Sequence, residues 1–244
     1  MINIILPVAG EGSSFKDNGG VFPKNLTEIN RKPMIQWVVE SLRISQPHRF
    51  IFVVNKQDHE EFSISYTLNL LANGASIVVT SGQTGGSLCS ALMAIDFIKD
   101  EDPCVIVNGD QVIRNQHFDK AITYFQAQQA DGGIITFDSV HPKWSYVKLD
   151  SEEQVIEVAE KRPISRNATA GVYYFKNGEM FINSAFQIIR KDVKTLDQFF
   201  VCPVYNELIL DNKKVIHYPI KTEEMISLGT PEEVVEFTKT LREE

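Results

Sequence analysis

Three observations on the 244-residue chain predict an α/β fold with a mostly parallel mixed sheet flanked by helices. Ile2–Val8, Phe50–Val54 and Cys104–Val107 are short apolar runs without polar alternation, the pattern of strands buried on both faces. Stretches with apolar residues at helical spacing lie between them. The order strand, loop, helix repeats, which implies right-handed crossovers between parallel neighbours.

Ile2–Val8 leads through Gly10 and Gly12 toward a helix over Met34–Leu42. Phe50–Val54 precedes a helical stretch over Phe62–Leu71, and a strand at Ile77–Val79 precedes one over Leu88–Ile98. After about residue 130 the rhythm changes. Strands are predicted at Gly133–Phe137, Tyr146–Leu149 and Gly171–Phe175, with Val155–Val158 pairing as a hairpin. Helices at Gly178–Ile189 and Val204–Leu210 and a strand at Val215–Tyr218 follow. Thr230-Pro231-Glu232-Glu233 opens the last helix, with Thr230 as N-cap and Pro231 at the first helical position. No linker, repeat or low-complexity tract divides the chain, so residues 1–244 read as one domain.

Lys and Arg number 24 against 32 Asp and Glu, a net charge of −8, which excludes a general electrostatic grip on nucleic acid or an anionic membrane. Much of the excess is terminal: from Thr222 onward seven Glu stand against only Lys239 and Arg242, whereas Met1–Ile35 is slightly basic. No window approaches eighteen apolar residues, and Met1–Ala9 runs into a glycine loop with no basic residue before it, so it reads as a strand. Cys89, Cys104 and Cys202 are scattered, which predicts reduced thiols, no zinc site and a cytoplasmic location.

Four segments carry chemistry. Leu6-Pro-Val-Ala-Gly-Glu-Gly-Ser-Ser-Phe15 leaves a buried strand through two glycines that can turn backbone N–H groups toward a phosphate, or simply make a tight turn. In Phe22-Pro-Lys-Asn-Leu26, Pro23 pre-sets the backbone before Lys24, whose ammonium suits a triphosphate. Val105-Ile-Val-Asn-Gly-Asp-Gln111 ends an apolar strand in Asp110, placed to hold Mg²⁺ or Mn²⁺ or to cap the next turn. Glu157-Val-Ala-Glu-Lys-Arg162 combines Glu160 for hydroxyl or amine groups with Lys161 for a phosphate. A fifth segment, His141-Pro-Lys-Trp-Ser-Tyr146, offers Trp144 and Tyr146 as pocket walls or as a cap on a sheet edge.

Taken in order, LPVAGEGSSF, FPKNLTEINRKPMIQWVVESL, VIVNGDQ, EVAEKRPIS, NATAGVYYF and LGTPEEV resemble the nucleotidyltransferases that make sugar nucleotides, over Ile2 to about Phe237. HPKWSYVKLD and FFVCPVYNELI are similar to a capsule and surface-polysaccharide branch that includes cytidylyltransferases acting on acceptors such as phosphoglutamine. The resemblance implies a Rossmann-like, GT-A type fold with an inserted acceptor-side β region, residues 1–130 forming a nucleotide-binding half and 131–244 an acceptor-binding half. It implies that Leu6, Ala9, Gly10 and Gly12 line the nucleotide, Lys24 contacts the triphosphate, and Gln83 and Gly86 lie near the base. It further implies that Asp110 coordinates the metal, that Glu160 and Lys161 hold the acceptor with Trp144 and Tyr146 about it, and that Gly171 lets it approach the backbone.

The expected activity joins a nucleoside triphosphate, CTP by the branch resemblance, to a sugar 1-phosphate or another phosphorylated small molecule. The partners are those small molecules, neither nucleic acid nor membrane, and relatives often form homo-oligomers. Two positions depart from the pattern. Ser14 stands where the family commonly has Arg, with Lys16 near enough to substitute, and Ser227 stands where many relatives have a metal-binding Asp. These substitutions keep open a non-catalytic nucleotide-binding protein on the same fold. A glycosyltransferase is disfavoured, because Asn108-Gly109-Asp110 lacks paired acids.

Overall fold

In a computed structural model, which describes residues 1–10, 12, 14–15 and 22–243, β1 (Ile2–Pro7) runs through the centre of the main sheet. Its residues from Ile2 to Leu6 are all buried, as the unalternating run requires, because sheet neighbours and layers on both faces cover it. A single 3₁₀ turn at Lys24–Leu26 and a ribbon of β2 (Glu28–Ile29) and β3 (Lys32–Pro33) lead into α1 (Met34–Ser41). Next come β4 (His48–Asn55), α2 (Lys56–Phe62), α3 (Ile64–Leu71), β5 (Ser76–Thr80) and α4 (Ser87–Leu92). β6 (Cys104–Val107) and β7 (Gln111–Ile113) precede α5 (His117–Ala127) and β8 (Gly132–Asp138). The second half continues with β9 (Tyr146–Leu149), β10 (Val155–Ala159), β11 (Asn167–Phe175), α6 (Gly178–Arg190) and α7 (Val204–Leu210). β12 (Val215–Pro219), β13 (Met225–Ser227) and α8 (Pro231–Glu243) complete the order.

The main sheet runs β10-β9-β11-β6-β1-β4-β5, with β8 on β11 and β12 on β8. β6, β1, β4 and β5 are mutually parallel. β11 lies antiparallel to β6 and joins both halves in one sheet, and β9 and β10 form the expected antiparallel pair. Apolar clusters pack both faces, one around Leu6, Phe52 and Phe125, the other around Ile5, Ile106 and Phe175. The alternation of Ile5 and Leu6 between clusters is the strand's two-residue period.

Several local predictions change. The helical stretch over Phe62–Leu71 is broken at Ser63, whose φ of 52° ends α2 before α3 begins. Asn55 caps α2, accepting from the Asp58 N–H at 2.7 Å. The stretch over Leu88–Ile98 stays α-helical only to Leu92 and closes as a 3₁₀ turn at Ile95–Phe97. Helix α5 and the short pair β7 and β13 are additions to the sequence-derived elements. The last helix is capped as expected: the Glu233 N–H reaches Thr230 Oγ1 at 3.4 Å, and Glu233 Oε2 accepts from the Thr230 N–H at 3.1 Å.

Candidate active site

A cleft of about 630 Å³ opens beyond the carboxyl ends of β1 and β6, where parallel sheets place their ligand sites. One wall is the loop after β1, which brings Pro7, Val8, Gly10 and Gly12 to the cleft. Gly12 has a φ of +60°, and a Cβ there would stand 2.8 Å from Lys24 Cβ. Only glycine therefore lets the loop lie this close to Lys24 at no strain. The Asn25 side chain donates to the Val8 carbonyl at 3.1 Å and ties the Lys24 turn to the same loop.

At the floor, Lys24 Nζ lies 2.6 Å from Asp110 Oδ2. The two residues assigned to opposite charges of a metal–triphosphate complex hold each other, with side chains 17% and 31% exposed. The Asp110 carbonyl accepts from the Leu228 N–H at 2.8 Å, and the β7–β13 pair sets Ser227 opposite Gln111. A Cβ on Gly229 would lie 3.2 Å from Glu233 Oε2 and 3.8 Å from Asp110 Oδ2, so these oxygens are no farther apart than those two distances combined. Among the described residues no three of His, Cys, Asp or Glu gather as a metal cage. One carboxylate suits a Mg²⁺ that is completed by substrate phosphates and water.

The opposite wall holds the expected acceptor residues. The Ser145 hydroxyl donates to Glu160 Oε2, and burial pushes the Glu160 carboxyl above its ordinary range, against that hydrogen bond and the Lys161 charge. Lys161 takes a φ of +53° and carries its ammonium 4.8 Å from the centre of the Phe200 ring. Trp144 lines the cleft with its ring edge on Phe137 and its face under Lys143. Cys202 also lines it, and burial holds its thiol well above the usual range, which keeps it in the neutral form.

Not every sequence-derived residue reaches the cleft. Tyr146 is fully buried and its hydroxyl donates to the His141 carbonyl at 2.7 Å, because its strand turns Ser145 to the cleft and Tyr146 to the core. Leu6 is likewise core, and Ala9 is partly buried against the apolar cluster on the other face. Gly171, at φ +67°, makes room for Gln111 and Asn108: a Cβ there would overlap the Gln111 amide and stand 2.7 Å from Asn108 Nδ2. Gln83 is exposed outside the cleft lining, and Gly86 is pressed on the Phe199 backbone, while the adjacent Ser87 does line the cleft. Lys16 lies outside the described residues.

Lys143, Ser145, Gln111 and Glu233 are cleft residues that sequence reasoning did not assign. Glu233 had a signal, its place three residues after the Thr230 cap. It serves more than the helix: Oε2 accepts from Ser227 Oγ at 2.7 Å and from the Gly229 N–H at 2.8 Å, while Oε1 pairs with Lys143.

Residues 2–220 match the nucleotidyl transferase family. The chain belongs to the nucleotidyl transferase family. Among curated relatives of this nucleotidyl transferase are the low-salt glycan biosynthesis nucleotidyltransferase Agl11 of Haloferax volcanii, 23% identical over 81% of this chain and 59% of that protein, and the bifunctional protein GlmU of Thermodesulfovibrio yellowstonii, 20% identical over 99% and 52%. The chain spans about half the length of these relatives. A solved nucleoside-diphosphate-sugar pyrophosphorylase of Vibrio cholerae shares its fold, with a TM-score of 0.84 at 24% identity over 98% of this chain and 100% of that one. A putative glucose-1-phosphate thymidylyltransferase of Bacillus anthracis aligns with a TM-score of 0.72 at 19% identity, over 99% and 95%. These likenesses confirm the mostly parallel mixed sheet flanked by helices as a nucleotidyl transferase architecture.

Proposed function

We propose that the chain transfers a nucleotidyl group from a nucleoside triphosphate to a phosphorylated small molecule of the sugar-phosphate type, releasing pyrophosphate. The observation that carries this reading is one cleft with Lys24 and Asp110 on its floor and Glu160 and Lys161 on its far wall. An oxygen of the acceptor phosphate attacks the α-phosphorus, forming a P–O bond as the bond to the β-phosphate breaks and its electron pair leaves with pyrophosphate. A phosphate dianion is a competent nucleophile at neutral pH, so the cleft needs no general base.

The work of the protein is positioning and charge. Lys24 draws the triphosphate against the Gly10–Gly12 loop, Lys161 draws the acceptor phosphate toward it, and Glu160 accepts from acceptor hydroxyl or amine groups. Asp110 would hold Mg²⁺, or Mn²⁺, through its carboxylate once Lys24 has turned to the phosphates. When bound, the ion supplies positive charge to the phosphate oxygens. Residues 1–130 serve the nucleotide and 131–244 the acceptor within one domain. The branch resemblance supports CTP as donor, a sugar 1-phosphate or an acceptor such as phosphoglutamine, and a role in capsule or surface-polysaccharide precursors. The glycan-biosynthesis relative supports the same direction.

The test is pyrophosphate release by the full chain with each of the four nucleoside triphosphates, Mg²⁺ and a panel of phosphorylated sugars and amino acids. One pair is expected to turn over, CTP being the donor, and Asp110→Ala is expected to abolish it. Tight nucleotide binding with no release from any pair would instead favour the non-catalytic protein on the same fold.

A further inference from the structure

Among the described residues three lysines line the cleft, and two of them are ion-paired, Lys24 with Asp110 and Lys143 with Glu233. Lys161 makes no ion pair with a described residue. Glu160 beside it accepts from the Ser145 hydroxyl, and the Lys161 ammonium lies instead over an aromatic ring, 4.8 Å from the centre of Phe200. The difference matters to an incoming phosphate. A carboxylate partner orients an ammonium but neutralises it and competes with the anion, whereas a ring attracts it through its quadrupole and leaves the unit charge in place.

The ring is fixed by the residue before it. The Phe199 N–H donates to the Gly85 carbonyl at 2.8 Å, and the Phe199 carbonyl accepts from the Leu88 N–H at 3.1 Å. Gly86, between these two partners, has a φ of +126° and no room for a side chain: a Cβ there would overlap the Phe199 carbonyl oxygen and stand 2.8 Å from the Phe199 nitrogen. Leu88 is fully buried, and Val201 and Cys202 are buried just past Phe200, so both sides of this contact are anchored in the core. Ser87 and Phe200 line the same cleft. Lys161 itself is held at a φ of +53°, a conformation that a Cβ disfavours and that persists only where the surroundings fix it.

We propose that Phe200 is a positioning residue of the transfer, keeping the Lys161 ammonium ordered at the cleft wall with its charge free, and that the Phe199 backbone sets this placement from the Gly85–Leu88 loop. This rests on the assignment of the acceptor phosphate to Lys161 and deepens it. Without the ring the ammonium spreads among rotamers and must be ordered when the phosphate arrives, which weakens binding about two- to tenfold. Gly86 then acts on the acceptor without touching it, by letting Phe199 lie against the loop.

Calorimetric titration of the full chain with glucose 1-phosphate and with glycerol 3-phosphate, in the presence of Mg²⁺ and a non-hydrolysable CTP analogue, tests it. Replacing Phe200 by mono-, di- and trifluorinated phenylalanine keeps the ring and drains its face of negative charge. Affinity for at least one of the two phosphates is expected to fall stepwise with each fluorine. Phe200→Leu is expected to lower it about two- to tenfold, and Phe200→Tyr to retain it. Gly86→Ala is expected to lower it in the Phe200 protein and to add little in the Phe200→Leu protein, a comparison in which any separate effect on the nucleotide cancels. Wild-type affinity in the trifluorinated protein, binding of neither phosphate, or additive losses from Gly86→Ala and Phe200→Leu would each overturn the proposal. Pyrophosphate release decides the transfer reading separately: release with binding that ignores fluorination removes Phe200 and keeps the transfer, and binding that follows fluorination without release does the reverse.

Discussion

Lys24 Nζ and Asp110 Oδ2, 2.6 Å apart, join residues 86 positions distant in the chain and neutralise each other at the floor of the cleft. A divalent cation alone must compete with the ammonium for Asp110, and a triphosphate alone must compete with the carboxylate for Lys24. A metal–triphosphate complex satisfies both at once, so the two ligands bind cooperatively and each raises the affinity for the other by the same factor. Breaking a partly exposed pair costs up to about 1 kcal/mol, or about fivefold in the affinity of a ligand that must break it. Lys24→Met is therefore expected to bind Mn²⁺ about fivefold more tightly than the wild type in the absence of nucleotide, read by electron paramagnetic resonance, while losing nucleotide affinity. Unchanged or weaker Mn²⁺ binding would refute the competition.

Gly12 determines how near the glycine loop stands to that pair. A φ of +60° costs a residue with a Cβ about 1–2 kcal/mol, and this Cβ would meet Lys24 Cβ at 2.8 Å. Gly12→Ala should shift the Lys24 turn before it unfolds anything, because the loop is at the cleft and not in the core. The expected result is a nucleotide dissociation constant raised about tenfold or more with a melting temperature lowered by only about 2–8 °C, since 1 kcal/mol is about 2–4 °C at this size. Gly10→Ala is the control: nothing lies within 4 Å of a Cβ there, so its protein should fold and melt like the wild type.

Acid stability has a local source at Glu224, whose carboxyl is pulled down to about 2 by hydrogen bonds from the Lys221 N–H, Asn115 and His117. A lowered carboxyl favours the folded chain above the ordinary value of 4.5, and that contribution is lost as pH falls from 4.5 toward 2. Glu224→Gln should therefore be less stable than the wild type at pH 7, with the difference narrowed at pH 3 and closing toward pH 2. Urea unfolding at the two pH values reads it, and a difference that persists or widens on acidification would exclude Glu224 as the source.

The parallel strands and the ordered motifs were legible because each is local: an unalternating apolar run, a glycine loop, an acid ending a strand. Helix α5 was equally legible, with Phe118, Ala121, Ile122 and Phe125 at helical spacing and all buried, but it lies between two segments read for their chemistry. The pair β7 and β13 was not, since three-residue strands have too little pattern to show and pair only through contacts more than 100 positions apart. At the site, the same limit decides Ser145 against Tyr146. Neighbours on an extended chain face opposite ways, and which of the two turns to the cleft depends on pairing with β11, where Tyr146 meets Ala168. The Lys143–Glu233 pair, 90 positions apart, is likewise a product of the fold and not of spacing.

Glu160 is the clearest case of a group placed against stability. Burial raises its carboxyl more than the Ser145 hydrogen bond and the Lys161 charge lower it. A folded value above the unfolded one means that the folded chain holds the proton more tightly, so the ionised carboxylate costs stability as pH rises past the unfolded value. Burial raises the Tyr173 hydroxyl and the Cys202 thiol, and the Glu160 charge adds to the rise in both. Glu160→Gln keeps an acceptor for the Ser145 hydroxyl and removes the charge. It should be more stable than the wild type at pH 8, with the gain vanishing at pH 4, while acceptor binding falls because a neutral amide accepts more weakly than a carboxylate. Urea midpoints at both pH values and acceptor titration at pH 8 check the two halves. A gain of equal size at pH 4 would mean that packing, not charge, is the cause, and a loss at pH 8 would mean that Lys161 and Ser145 already offset the burial of the carboxylate.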